Sequence, residues 1–358
     1  MFTAGDFRDV VSGTRRGPLA TIQRATLAVA EVPYTLAVRF RNRRYDRGLA
    51  AVHSVEVPVI SVGNLTLGGT GKTPMVQYLA TWFRARGIRV SIVSRGYRAT
   101  TGEGNDEAKE LAERLPSVPH LQSPDRVASA RIAVDELRTQ LILLDDGFQH
   151  RRLVRDLDVV LIDALEPFGF DRVFPRGMLR EPVRGLSRAH VIGLSRADLL
   201  DGEQRESIRR RVSDINAEAI WLELAHRPQR LLGRGMCEDL EAVRDKEVLA
   251  FCGIGNPMGF RQTLVNCGAR IQAFREFPDH HRYSRKDIQS LADWAQAHPS
   301  RMVICTHKDL VKIDIDQFGD SPLRALEIEL QILRGQHELE TSLSGFIAPL
   351  EGHPGCST

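Results

Sequence analysis

The sequence predicts an α/β chain in two parts: a larger part with a mostly parallel sheet and a glycine-rich loop, and a smaller α/β part behind a hairpin-like linker. Three observations carry this reading. From residue 57 to residue 225, β-like apolar runs alternate with helical patterns. A glycine-rich loop stands directly between one such run and one such helix, and a second, shorter alternation begins after residue 247. Alternation of this kind implies crossover helices on both faces of parallel strands, with ligands at the carboxyl ends of the strands. The expected divisions are a helical N-terminal segment over 1–50, the loop-bearing domain over 51–225, a linker over 226–247 and a second domain over 248–350.

The length of 358 residues allows two domains, and 42% hydrophobic with 27% charged residues describes an ordinary folded chain. A formal charge of +3 argues by itself neither for nor against nucleic acid. No nucleic-acid partner is expected, and no obligate protein partner is inferred. The five cysteines, Cys237, Cys252, Cys267, Cys305 and Cys356, show no CxxC and no metal-ligand spacing, as expected of reduced thiols in a cytoplasmic chain. No signal peptide is read at the start, because acids and arginines stand where an apolar core belongs. The Asn64-Leu65-Thr66 glycosylation triplet is discounted accordingly.

Residues 18–48 carry Leu19, Ile22, Leu27, Val29, Leu36, Val38 and Phe40, interrupted by Arg24, Glu31 and Pro33. The run is too short and too charged to span a bilayer, which takes about twenty apolar residues. It suits an interfacial helix pair whose apolar face dips into lipid, or a helix packed on the protein's own core. Arg39, Arg41, Arg43, Arg44 and Arg47 follow against one acid, Asp46, and match an anionic membrane surface or a solvated helix face.

The run VPVISVGNLTLGGTGKT, Val57 to Thr73, supplies in order a buried strand, a glycine-rich loop and the start of a helix. That order makes a phosphate cradle. The amides of Thr66, Leu67, Gly68, Gly69, Thr70 and Gly71 face phosphate oxygens, the helix N-terminus adds partial positive charge, Lys72 a point charge, and Thr73 a hydroxyl for Mg²⁺. Thr66 occupies the first-glycine position of GxxxxGK[ST]. Further on, LILLDDGFQHRR ends a four-residue apolar run in Asp145 and Asp146. A buried strand ending in aspartate holds Mg²⁺ or its waters beside the phosphates in P-loop enzymes, although Asp-Asp-Gly also makes turns. Either aspartate fits the metal role. The first domain is therefore expected to be a P-loop NTPase domain that binds nucleotide phosphates and Mg²⁺, a set that fits an ATPase, a GTPase or a kinase alike.

Six motifs recur in order: GNLTLGGTGKTP; SRGY at 94–97; DDGFQHRRLVRDLDVVLIDA; PRGMLREP at 175–182; FCGIGNP at 251–257; and FPDHHRYS at 277–284. Together, over roughly residues 50–312, they closely resemble the tetraacyldisaccharide 4'-kinase family of the lipid A pathway. The resemblance implies a peripheral enzyme on the cytoplasmic face of the bacterial inner membrane. Its reaction is ATP-dependent phosphorylation of the 4'-hydroxyl of a tetraacylated disaccharide 1-phosphate, giving lipid IVA. It also implies a base made of an aspartate and a histidine, which fall by motif on Asp106 of GNDEA and His280 of FPDHH. Asn105 stands where the family usually has glycine, and Asp106 equally suits a helix N-cap. His280 would reach in from the second domain, with Asp279 orienting its ring. Arg180 of PRGMLRE is the candidate cation for the transferring phosphate or the substrate's 1-phosphate, since guanidinium binds phosphate in a fork, and Arg95 is a second. Gln149 and His150 either touch substrate or satisfy the turn.

Three signals are set aside. Gly253, Gly255 and Gly259 are read as a close turn and not a dinucleotide fingerprint. SRAD at 195–198 and THKDLVK at 306–312 look like base-reading segments of GTPases without their Asn-Lys-x-Asp sequence, and His307 replaces the glutamate expected of the family. The competing class is a nucleotide-driven switch or metal-insertion chaperone, in which the same loop powers a conformational change and water is the acceptor.

Overall fold

The computed structural model describes residues 4–96, 106–279, 281–298 and 302–347. Helices α1 (Ala4–Ser12) and α2 (Pro18–Asp46) lead into β1 (Val59–Asn64), α3 (Lys72–Arg84), β2 (Val90–Ser94), α4 (Asp106–Arg114) and β3 (His120–Gln122). Next come α5 (Arg126–Asp135), β4 (Leu141–Asp145), β5 (Leu157–Asp163), β6 (Val191–Ser195) and α6 (Gly202–Ser213). The chain continues through β7 (Ile220–Gly233), β8 (Met236–Asp239), β9 (Glu247–Cys252), α7 (Pro257–Asn266), β10 (Arg270–Glu276) and α8 (Arg285–Ala297). It ends with β11 (Val303–Thr306), α9 (His307–Leu310), β12 (Gln317–Phe318), β13 (Ser321–Arg334) and α10 (Gln336–Ser344).

Contacts divide the chain into one unit of Met1–Gly96, Val118–Ala225 and Ile332–Thr358, and a second of Tyr97–Ser117 and His226–Gln331. The division by contacts differs from a linear one at α4, which follows β2 in sequence yet belongs to the second unit. Its Arg114 explains why: Nε donates to Nδ1 of His307 at 3.0 Å, and Nη1 to the Ile328 carbonyl at 3.1 Å. His307, 5% exposed, also has Nε2 3.2 Å from Glu113. Burial raises the Glu110 pKa, but hydrogen bonding to His307 and the charge of Arg114 outweigh it and hold the carboxyl below its usual range. The histidine that stands in place of an expected glutamate is thus a buried link between α4 and the end of β11.

In the first unit the strand order is β6-β5-β1-β4-β2-β3, all parallel, with the opening residues of β7 paired to β6. β1 lies inside this order and is buried along all six residues, as a β-branched strand covered on both faces should be. Val62 pairs with Asp145 and Asn64 with Leu161, so the ends of β4 and β5 flank the loop leaving β1. α3 buries Met75, Val76, Leu79, Ala80 and Phe83, a 3.6-residue stripe. Its Tyr78 hydroxyl donates to Glu340 of α10 at 3.1 Å.

α2 runs unbroken for 29 residues through Pro33. A proline inside a helix removes a hydrogen bond and costs about 3 kcal/mol, which tertiary contacts must offset. They lie on one side: Glu31, Tyr34, Val38 and Asn42, at spacings of three and four, face the unit. Val29, Val32, Leu36 and Phe40 fall on the opposite side and are 57–74% exposed. The interfacial helix pair expected over 18–48 is a single helix there, preceded by the short α1.

In the second unit β10-β9-β11-β13 form a parallel set, with β12 antiparallel to β13. Alternate residues of β9 enter two cores: Val248, Ala250 and Cys252 beside Phe260 and Leu264, and Leu249 and Phe251 beside Leu291 and Trp294. Within residues 226–247, the end of β7 and β8 make an antiparallel hairpin closed at Gly233 and Met236, with Gly235 at φ +68°.

Gly63 in β1 marks a close approach, because an added Cβ would lie 2.6 Å from the Cβ and 2.8 Å from the backbone N of Phe148. Gly63→Ala is expected to cost about 1–3 kcal/mol, seen as a lower urea midpoint with unchanged slope. An unchanged midpoint would show that the strand yields freely at this point.

Candidate active site

The side chains that converge in the first unit stand at the carboxyl ends of β1, β4, β5 and β6. Asn64, the buried last residue of β1, shapes the loop: its Nδ2 donates to the carbonyls of Thr66 at 2.9 Å and Gly68 at 3.3 Å, and its Oδ1 lies 3.4 Å from Lys72 Nζ. Gly68 at φ +118° and Gly71 at φ +80° supply turns that residues with a Cβ rarely adopt. Gly71 caps α3 without a side-chain bond, which leaves the first amides of the helix for another acceptor. A Cβ on Gly68 or Gly69 would meet nothing within 4 Å, so the loop faces open space. The Thr70 hydroxyl, 2% exposed, has no hydrogen-bond partner among the described residues.

The loop is also held from outside. Leu67 N donates to Met178 O, and Arg180 N to Leu65 O, both at 2.7 Å, so PRGMLRE lies beside it as a short antiparallel bridge. Beyond β6, Arg196 donates to the Gly69 carbonyl at 2.6 Å and pairs with Asp163, at the end of β5, at 2.9 Å.

Asp146 follows β4 with φ +49°. Both of its carboxylate oxygens accept from Arg180 Nη1 at 2.8 Å, Lys72 Nζ stands 3.4 Å away, and its carbonyl accepts from Arg126 at 2.9 Å. Burial raises its pKa, but the charges of Lys72 and Arg180 overcome that and bring it to about 2, so the group is ionised throughout the neutral range. Asp145, 6% exposed, accepts the Asp146 amide at 2.9 Å. Gln149 turns inward, donating to the Asn64 carbonyl at 2.9 Å and to Glu181 at 3.1 Å.

This donor set fits Mg²⁺. Asp145, Asp146 and Thr73, in the first turn of α3, offer hard oxygens. Among the described residues no three His, Cys, Asp or Glu side chains converge on a metal cage. Mg²⁺ asks for no such cage, since one or two carboxylates with substrate phosphates suffice.

Of the residues singled out by sequence, Lys72, Asp145, Asp146, Arg180 and the loop Thr66–Thr73 come together here, while Arg95 is exposed past the end of β2. Asp106 opens α4 in the second unit, and its side chain and the whole of His280 lie outside the described residues. His281 is occupied locally: its ring stacks on Phe277 at 4.8 Å, and Nε2 is 3.3 Å from Asp287. Sequence reasoning missed Asn64, Arg126, Glu181 and Arg196. Asn64 is hidden in a discounted glycosylation triplet and Arg196 in a segment set aside as a GTPase look-alike.

The family model for Tetraacyldisaccharide-1-P 4'-kinase matches residues 23–348. The chain belongs to this family. A tetraacyldisaccharide 4'-kinase of Anaeromyxobacter sp. (strain K) is 39% identical over 93% of both chains, and one of Geobacter sulfurreducens is 34% identical over 93% of this chain and 96% of its own. The fold is similar to the crystal structure of LpxK from Aquifex aeolicus in complex with ATP, at TM-score 0.73 and 30% identity, covering 90% of this chain and 99% of that one.

Burial, reinforced by the charges of Arg126, Arg152 and Arg155, pushes His150 down to about 4. Between about pH 6.5 and 4 the unfolded chain takes up a proton at this residue that the folded chain refuses, so the histidine withdraws stability as the pH falls through that window and none above it. The loss is of order 1 kcal/mol after discounting for the ring's remaining exposure. His150→Gln is expected to flatten that part of the urea midpoint against pH, and parallel curves for the two proteins would remove the assignment.

Proposed function

We propose that this chain transfers the γ-phosphate of ATP to the 4'-hydroxyl of a tetraacyldisaccharide 1-phosphate, giving lipid IVA. The observation that carries the reading is the convergence of Lys72, Arg180 and the ionised Asp146 on the glycine loop, in a chain of this family. A nucleotide-driven switch would share the loop, but the family match favours the kinase.

Phosphoryl transfer asks the protein for placement and charge more than for covalent chemistry. The loop amides and the α3 N-terminus hold the β- and γ-phosphates, and Lys72 neutralises the charge that grows there. Arg180 offers its fork to the transferring phosphate or to the 1-phosphate of the acceptor. Asp145, Asp146 and Thr73 would hold Mg²⁺, whose positive charge would lower the charge of the phosphates. Asp106 with His280 serves as the base that accepts the 4'-hydroxyl proton, and a base far from the loop in sequence is what separates a kinase from a switch.

The lipid acceptor calls for a membrane face. Among the described residues no helix is long and apolar enough to cross a bilayer. α2 instead presents Val29, Val32, Leu36 and Phe40 outward, with exposed Arg39, Arg43 and Arg47 at their C-terminal end, which suits an interfacial helix on an anionic surface. The cytoplasmic face of the inner membrane, where ATP is available, is the location that this reading implies.

Incubation with γ-labelled ATP and a tetraacyl disaccharide 1-phosphate is expected to move label into the lipid, and label found only as free phosphate would end the kinase reading. Lys72→Ala should lower turnover at least 100-fold and weaken ATP binding, whereas Asp106→Ala should lower turnover and leave ATP affinity intact. Wild-type turnover in Asp106→Ala would reduce that residue to a helix cap. Replacing Val29, Leu36 and Phe40 together by serine should cut sedimentation with phosphatidylglycerol vesicles several-fold, and undiminished sedimentation would move the membrane contact elsewhere.

A further inference from the structure

Arg180 is tied through both of its backbone polar groups. Its N–H donates to Leu65 O of the phosphate loop at 2.7 Å, and its carbonyl accepts from the Tyr34 hydroxyl of α2 at 3.2 Å. The next residue, Glu181, is 0% exposed and must be satisfied by the protein, since a buried carboxylate short of donors is costly. Arg188 Nη2 reaches both of its oxygens at 2.9 Å, Gln149 donates at 3.1 Å, and Asn42 of α2 donates at 2.7 Å. Asn42 is in turn fixed by Arg151, which donates to its carbonyl at 3.1 Å and pairs with Asp46 at 2.7 Å. A third tie lies one turn before Tyr34, where Glu31 accepts the Val173 amide at 3.0 Å. The inner face of α2 is therefore spent on the segment that carries Arg180, and its outer face is the apolar stripe.

We infer that Asn42 and Tyr34 are positioning residues for phosphoryl transfer, holding Glu181 and the Arg180 backbone so that the seating of α2 sets the place of the Arg180 guanidinium. Neither side chain need touch ATP or lipid. The inference rests on reading Arg180 as the phosphate-binding cation. Because misplacement by about 1 Å can cost 100-fold in rate, a lost tie on α2 should be read in turnover before it is read in binding.

The test compares the full-length chain with Asn42→Ala, Tyr34→Phe, Arg180→Lys, Arg180→Ala and the Asn42→Ala/Arg180→Lys double variant. The assay uses tetraacyl disaccharide 1-phosphate in phosphatidylglycerol–phosphatidylethanolamine vesicles. Expected are a kcat about ten-fold lower for Asn42→Ala and several-fold lower for Tyr34→Phe, with KM for lipid within two-fold and vesicle sedimentation unchanged. The double variant should be little slower than Arg180→Lys alone, because both changes act through one group. Multiplying losses, a loss confined to KM for lipid, or wild-type turnover in Asn42→Ala beside a slow Arg180→Lys would each overturn the coupling while leaving Arg180 in its role. Wild-type turnover in Arg180→Lys and in Arg180→Ala would remove the role itself. Should Asn42→Ala unfold, Asn42→Ser and Tyr34→Phe, with unfolding midpoints near wild type, carry the same comparison.

Discussion

The first unit's strand ends depend on one ionised carboxylate. Asp146 brings Lys72 from α3 and Arg180 from the loop after β5 to the same point, while Arg126 from α5 holds its backbone. Without that negative charge two cations would face each other across a loop that already offers a helix N-terminus. With it, the cations stand gathered before any phosphate arrives. This is preorganisation in the electrostatic sense: the donors need little rearrangement when charge develops near them.

What was legible in the sequence was local. β1 and β4 announce themselves because strands buried on both faces read as unbroken apolar runs, and the loop because its glycines sit where positive φ is needed. The side chains missed are those whose partners are distant in sequence. Glu181 reads as one more surface acid until Asn42, Gln149 and Arg188 are seen around it, and Arg126 as one more helix arginine until its guanidinium meets the Asp146 carbonyl. α2 resisted reading for a sharper reason. Its outward side carries Val29, Val32, Leu36 and Phe40, while Glu31 and Asn42 face in beside Tyr34 and Val38, so spacing alone could not separate a core helix from a surface one.

The second unit shows the same limit. His307 looked like a departure from the family pattern, yet its ring is buried between Arg114 and the carboxylates of α4. A histidine accepting through Nδ1 and facing Glu113 through Nε2 joins cation and anion as a glutamate cannot. It thereby fixes the helix that Asp106 opens.

The opposed faces of α2 also limit how this stretch can change length. Each residue of a helix turns the chain beyond it by about 100°. A one-residue insertion between Glu31 and Asn42 would swing Asn42 off Glu181 and carry Phe40 away from the stripe it shares with Val29. Lengthening by a near-whole number of turns restores the angle but shifts the two ends apart by about 5 Å per turn, breaking one tie to keep the other. Between those residues α2 works as a gauge block, fixed in both rotation and length.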